Sequence, residues 1–88
     1  MLIPITEKNR NSGYLTWSAD QEKALHVLLR GLDAVRLIFE GEDIGVKKIN
    51  RKTRRISLGG GQRIDAGLRH ISHYKLTRQG DVLIVNVE

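Results

Sequence analysis

Short runs of β-forming residues alternate with turn-forming residues along most of the sequence. Residues 34–40, 44–50 and 54–58 are three such runs, and residues 41–43 and 51–53 between them favour turns. Connections this short join neighbouring antiparallel strands. The middle of the chain is therefore predicted to be an antiparallel meander.

The end of the chain has the same pattern. Residues 73–77 and 82–87 flank the turn-forming segment 78–81, which predicts a hairpin. The last run is nearly all apolar, so we expect an interior strand that is covered on both faces. Near the start, residues 14–17 predict a short strand, and residues 2–5 predict a short strand or an apolar strap.

One segment has helical periodicity instead. Ser18 is a favourable N-cap, and Gln21 follows at the position that completes a capping box. Gly31 is a natural stop, so a helix is predicted at about 18–31. Its apolar stripe consists of Ala24, Leu25, Leu28, Leu29 and Leu32. Residues 62–71 fit either a short helix or a strand, and we favour the helix because it accommodates one more apolar residue.

Together these elements predict an α+β fold that occupies residues 1–88 as a single domain. A small sheet of about five mostly antiparallel strands is expected to pack on the long helix at about 18–31. Where residues 62–71 are helical, they add a second short helix. The 88-residue chain can bury only a modest, mainly aliphatic core, which disfavours a large enclosed cavity.

Positive charge is concentrated in the second half of the chain. Residues 1–46 carry five Lys/Arg against seven Asp/Glu, whereas residues 47–88 carry ten against three, so their net charges are −2 and +7. Such asymmetry is typical of chains that bind a polyanion. Six of the cations fall within nine positions: Lys47, Lys48, Arg51, Lys52, Arg54 and Arg55. Arg63 and Arg69 could extend this cluster.

Two interpretations of the basic cluster stay open. In the first, its side chains contact the phosphates of DNA, RNA or another polyanion, and the two-stranded ribbon enters the major groove. Because no aromatic residue lies between Phe39 and Tyr74, base stacking is not expected there. In the second, the charges form a solvated hairpin that maintains solubility and prevents its edge from pairing with other chains.

The other candidate sites match no catalytic or cofactor motif. The three glycines at 59–61 fit neither the P-loop nor the dinucleotide-binding pattern. His70 and His73 lack the nearby carboxylate or thiolate that would complete a metal site. The acidic residues within 40–43 are typical of a polar turn. We therefore expect a non-enzymatic binding module without a metal or another cofactor.

The alternative function is association with a protein partner or with a second copy of the chain. The apolar strands 2–5 and 82–87 would complete a shared sheet or core, because oligomerisation enlarges a small core. No apolar run approaches the ~20 residues that cross a bilayer, and the N-terminus lacks the basic lead-in of a signal peptide. With the absence of cysteine, these features predict a cytoplasmic protein that does not bind membranes.

Overall fold

A computed structural model describes residues 1–5, 13–58 and 73–88. Most of these residues lie in strands of one sheet. The strands are β1 (Leu2–Pro4), β2 (Tyr14–Thr16), β3 (Ala34–Phe39), β4 (Glu42–Asn50), β5 (Arg55–Ser57), β6 (His73–Gln79) and β7 (Val82–Val87). A 3-10 turn (Ala19–Gln21) continues into the helix α1 (Glu22–Leu28).

The predicted α+β arrangement, a five-stranded sheet packed on one long helix, is wrong. The described residues form a mixed sheet of seven strands that curves into a half-barrel, and the helical segment has 10 residues. Six strand spacings of about 4.8 Å make such a sheet roughly 29 Å wide, whereas ten helical residues extend over about 15 Å. The helix can cover only part of the sheet, so the sheet curves to cover the rest of its inner face.

The strand order is β1-β6-β7-β3-β4-β5-β2. The predicted meander β3–β4–β5 and the predicted hairpin β6–β7 are both antiparallel. Strands β3 and β7 are parallel, which makes the sheet mixed. The predicted interior position of β7 is confirmed, but only one of its faces is fully covered. Leu83 and Val85 are buried, whereas Val82 and Ile84 on the opposite face are half-buried.

Alternate residues of the strands build the core. Directly paired residues lie on the same face of a sheet, as in the buried pairs Leu15–Ile56 and Ile3–Tyr74. We call the face that carries these side chains the inner face, and the opposite one the outer face. The other buried strand residues of the inner face are Val35, Leu37, Phe39, Ile49, Leu76, Leu83 and Val85.

The helical segment begins as predicted. The Ser18 N–H donates to Gln21 Oε1 at 3.1 Å, and the Gln21 N–H donates to the Ser18 carbonyl at 3.1 Å. Trp17 Nε1 donates to Glu22 Oε2 at 2.7 Å and so ties the buried indole to the first turn of α1. Because Trp17 is the only tryptophan of the chain, its fluorescence reports on unfolding.

The apolar stripe continues past the end of the helix. Leu25 and Leu29 are fully buried, but Leu29 has already left the helix with φ −101° and ψ 19°, and Gly31 adopts φ 81°. Leu28 and Leu32 pack against the core beside this end. The helical period therefore identified most of the buried residues, while the predicted helix was too long because the chain turns after Leu28.

A two-residue turn joins β3 to β4. Glu40 and Gly41 have φ of 50° and 84°, as a type I′ turn requires. The predicted turn at 41–43 was therefore displaced, because Glu42 and Asp43 already belong to β4. Glycine is suited to the second position of this turn because it has no Cβ to oppose a positive φ.

Two arginines hold the end of the helical segment against the sheet. Arg51 Nη2 donates to the carbonyls of Leu29 and Leu32 at 3.1 and 2.7 Å. Arg78 Nη1 donates to the carbonyls of Leu28 and Arg30 at 3.1 and 2.8 Å. Carbonyls at a helix end lack helical donors, and their partial negative charge favours cations.

Replacing either arginine by alanine is expected to destabilise the fold. Arg51→Ala removes two hydrogen bonds from a charged donor, and Arg78→Ala removes three, since Arg78 Nε also donates to the Gly80 carbonyl. Each change should lower the free energy of unfolding by about 1–3 kcal/mol. Urea unfolding followed by Trp17 fluorescence measures this loss. The control Arg30→Gln alters an exposed side chain on the same segment and should change stability by less than about 0.5 kcal/mol. Equal stability of Arg51→Ala and the control would contradict the assignment.

Candidate functional site

The pleat of β4 separates two of the predicted basic residues. Lys47 pairs with the buried Val35 and therefore lies on the inner face, where it is half-buried. Lys48 pairs with Ala34 and lies exposed on the outer face. Only one of these two lysines can therefore belong to an outer-face binding site.

Two further predicted residues have structural roles. The Arg51 guanidinium is engaged by the carbonyls at the end of the helical segment. Arg54 is half-buried and adopts φ 54°, and its carbonyl accepts a hydrogen bond from the backbone N–H of Trp17 at 3.2 Å. The six residues of the predicted cluster therefore do not share one location or one set of partners.

Of the cations that are not engaged in these ways, Arg55 lies over an aromatic side chain. Strand β2 pairs with β5, and Arg55 lies directly opposite Thr16. Tyr14 is two residues away on the same face, and the Arg55 Cζ lies 4.5 Å from the centroid of its ring. Lys48 is exposed on the same face of β4, and Lys52 is exposed in the turn between β4 and β5. We call Tyr14, Lys48, Lys52 and Arg55 the outer basic surface.

The charges of the outer basic surface are not neutralised within the described part of the chain. The ion pairs found in residues 1–5, 13–58 and 73–88 are Arg36–Asp43, at 3.0 Å, and Lys75–Glu88, at 3.7 Å. Neither pair includes a cation of the outer basic surface. Guanidinium and ammonium groups without a carboxylate neighbour attract external anions more strongly than paired ones do.

Two of the acidic residues within 40–43 have partners of their own. A carboxylate oxygen of Glu40 accepts the Val87 N–H. Asp43 accepts the Gly45 N–H at 2.9 Å and binds Arg36. The Gly45 hydrogen bond, followed by Arg36, lowers the pKa of the Asp43 carboxyl. These groups stabilise turns and strands, and nothing in their arrangement suggests acid–base chemistry.

Several predicted candidates lie outside the described residues. They are Arg63, Arg69, His70, the glycines at 59–61 and the short helix at 62–71. His73 is described and is half-buried at the start of β6. Among the residues that the structure describes, no group of three His, Asp or Glu side chains is placed to hold a metal ion.

The strands proposed for a shared sheet differ in position. Strand β7 is paired on both sides, with β6 and β3, so it cannot add a strand of a second copy. Strand β1 lies at the edge of the described sheet, and its Leu2 is 49% exposed. Within the described ranges, no helix has the length and apolar composition needed to cross a bilayer.

The chain matches no model of a known protein family, and it has no significant similarity to a curated protein sequence or to a solved structure. A proposal about its function therefore has to be argued from the chemistry of its surface. The sequence interpretation missed Tyr14, although residues 14–17 were predicted as a strand. The pairing of β2 with β5, which brings Tyr14 to Arg55, connects segments about forty residues apart and leaves no local signal.

The Asp43 interactions predict a stability change with pH. A carboxyl whose pKa is lowered by folding stabilises the fold above its unfolded pKa, and this contribution is lost as the pH falls through the folded value. Asp43→Asn should therefore be less stable than the unmodified protein near pH 7, and the difference should shrink below about pH 4. Urea midpoints at several pH values measure it.

A partner variant completes this test. Arg36→Gln removes the side-chain hydrogen bond and the positive charge that Arg36 contributes to Asp43, and leaves the Gly45 N–H in place. It should reduce the pH-dependent contribution without abolishing it. A difference between Asp43→Asn and the unmodified protein that stays constant down to about pH 3 would contradict this role of Asp43.

Proposed function

We propose that the protein is a non-enzymatic nucleic-acid-binding module that contacts phosphates through the outer basic surface. The proposal is carried by one observation: Lys48, Lys52 and Arg55 are exposed, Arg55 lies over the Tyr14 ring, and no carboxylate of the described residues pairs with these three cations. Each phosphate that such a group neutralises releases condensed counterions, which gives affinity without sequence readout.

The strands that flank β4 and β5 favour a different binding mode from the insertion into the major groove that the sequence suggests. The ribbon β4–β5 has only two directly paired positions, Ile49–Ile56 and Asn50–Arg55. It is flanked by β3 on one side and by β2 on the other. Four adjacent strands span about 14 Å before side chains are counted, whereas the major groove is about 12 Å wide. Contact across the sheet face is therefore favoured over insertion of a ribbon.

Binding should depend on salt and on the three cations of the surface. Fluorescence anisotropy of a labelled single-stranded oligonucleotide should give an affinity that falls with salt, with a logarithmic slope of about −2 for three phosphate contacts. The triple variant Lys48→Gln, Lys52→Gln, Arg55→Gln should weaken binding at low salt by at least about tenfold and bring the slope near zero.

Matched variants test whether position matters beyond charge. Lys23→Gln and Arg30→Gln remove exposed cations of the helical segment and its end. A protein with both changes should bind as the unmodified protein does, within about threefold. The proposal is wrong if the oligonucleotide does not bind at low salt, or if the control weakens binding as much as the triple variant.

Self-association through β1 is the second candidate. It is supported by the edge position of this three-residue strand and by the 49% exposure of Leu2. Light scattering at micromolar concentration should then give a dimer, and Leu2→Lys should give a monomer because a charged edge residue opposes pairing. A monomer before substitution would rule this candidate out.

A further inference from the structure

We infer that the nucleic acid bound by the outer basic surface is single-stranded, and that one of its bases stacks on the Arg55 guanidinium. This inference rests on the proposed function and specifies its substrate. Three observations support it: the cation–π contact between Tyr14 and Arg55, the charge and N–H donors of Arg55 that no described carboxylate binds, and the strands that flank β4 and β5.

Tyr14 supports the Arg55 guanidinium from a neighbouring strand. Arg55 is paired directly with Thr16, and Tyr14 is the diagonal neighbour on the same face of β2. Diagonal neighbours are within reach of aromatic and long side chains. The Arg55 Cζ lies 4.5 Å from the ring centroid, which is a cation–π distance. The ring therefore fixes a side chain that would otherwise sample many rotamers.

This mode of support leaves Arg55 able to bind a ligand. A cation–π contact requires no hydrogen bond, and the Arg55 guanidinium donates none to an oxygen of the described residues. Arg36 provides the contrast within the same sheet, because its Nη1 donates to both carboxylate oxygens of Asp43, at 3.3 and 3.0 Å. Arg55 is exposed and makes no ion pair with a described residue, so its charge and its donors remain available to a ligand on its exposed side.

Such a group is suited to an unstacked base. A base stacks readily on an arginine plane once it has left its neighbours in the strand. In a duplex, both faces of each base are already stacked, and only base edges and phosphates can be contacted. Arg55 also belongs to a ribbon, β4–β5, that is flanked by β3 and β2 within the seven-stranded sheet, which opposes entry into the major groove. Lys48, exposed on the same face of β4, can then contact the phosphate backbone beside the stacked base.

The test compares Arg55→Lys with the unmodified protein on three labelled probes: a fifteen-nucleotide single strand, the duplex of the same length, and an abasic strand of the same length. Arg55→Lys keeps the charge and removes the plane. It should weaken binding to the single strand by at least about fivefold. Binding to the duplex and to the abasic strand should change by less than about twofold, because these contacts depend on charge.

Two variants of Tyr14 test the role of the ring, and one variant of Arg30 is the control for the change from arginine to lysine. Tyr14→Phe keeps the ring and should bind the single strand normally, whereas Tyr14→Leu should resemble Arg55→Lys. Arg30→Lys makes the same chemical change at an exposed position away from β5 and should have no effect on any probe. Trp17 fluorescence and circular dichroism confirm that each variant is folded.

The outcomes separate this inference from the proposed function. The inference is overturned, and the proposed function is kept, if Arg55→Lys binds the single strand as well as the unmodified protein does. The same holds if the unmodified protein binds the duplex as tightly as the single strand. If none of the three probes binds at low salt, both the proposed function and the inference are wrong.

Discussion

The fold depends on burying the inner face of a sheet that its helix cannot cover. Seven strands each present apolar side chains to that face, and the 10-residue helical segment supplies Leu25 and Leu29 as fully buried residues. Apolar area left in contact with water costs about 25 cal/mol per Å², so a flat sheet would be unstable. Curvature into a half-barrel brings the inner-face side chains of distant strands towards one another, and the core becomes common to the whole sheet.

The pleat of β4 and the position of the helix end explain why the basic residues do not act as one cluster. A sheet places successive residues on opposite faces, so the adjacent Lys47 and Lys48 point away from each other. The end of β4 lies beside the end of α1, where Arg51 can reach carbonyls without helical donors. Proximity in sequence therefore indicates the local charge density but not which of these residues share a surface.

Local signals predicted the local structure well. The capping box at Ser18, the meander β3–β4–β5 and the hairpin β6–β7 follow from patterns spanning a few residues. The parallel pairing of β3 with β7 and the pairing of β2 with β5 join segments far apart in sequence, and nothing local specifies them. The prediction of a long helix was wrong because periodicity identifies the buried face of a segment but not where the helix ends. A buried leucine such as Leu29 can lie in the turn that follows the helix.

Arg51 and Arg55 illustrate how the partner of a basic residue decides its role. Arg51 lies in the turn between β4 and β5 and Arg55 begins β5, and both are held by contacts with residues distant in sequence. Backbone carbonyls at the end of the helical segment accept hydrogen bonds from Arg51 Nη2, so this guanidinium stabilises the fold. Arg55 lies over the Tyr14 ring, is exposed and makes no ion pair with a described residue, so its donors and its charge remain available to a ligand. A search for binding residues in a small basic sheet should therefore ask which arginines are supported by rings and which by oxygen atoms, because only the former retain the groups that recognise a phosphate or a base.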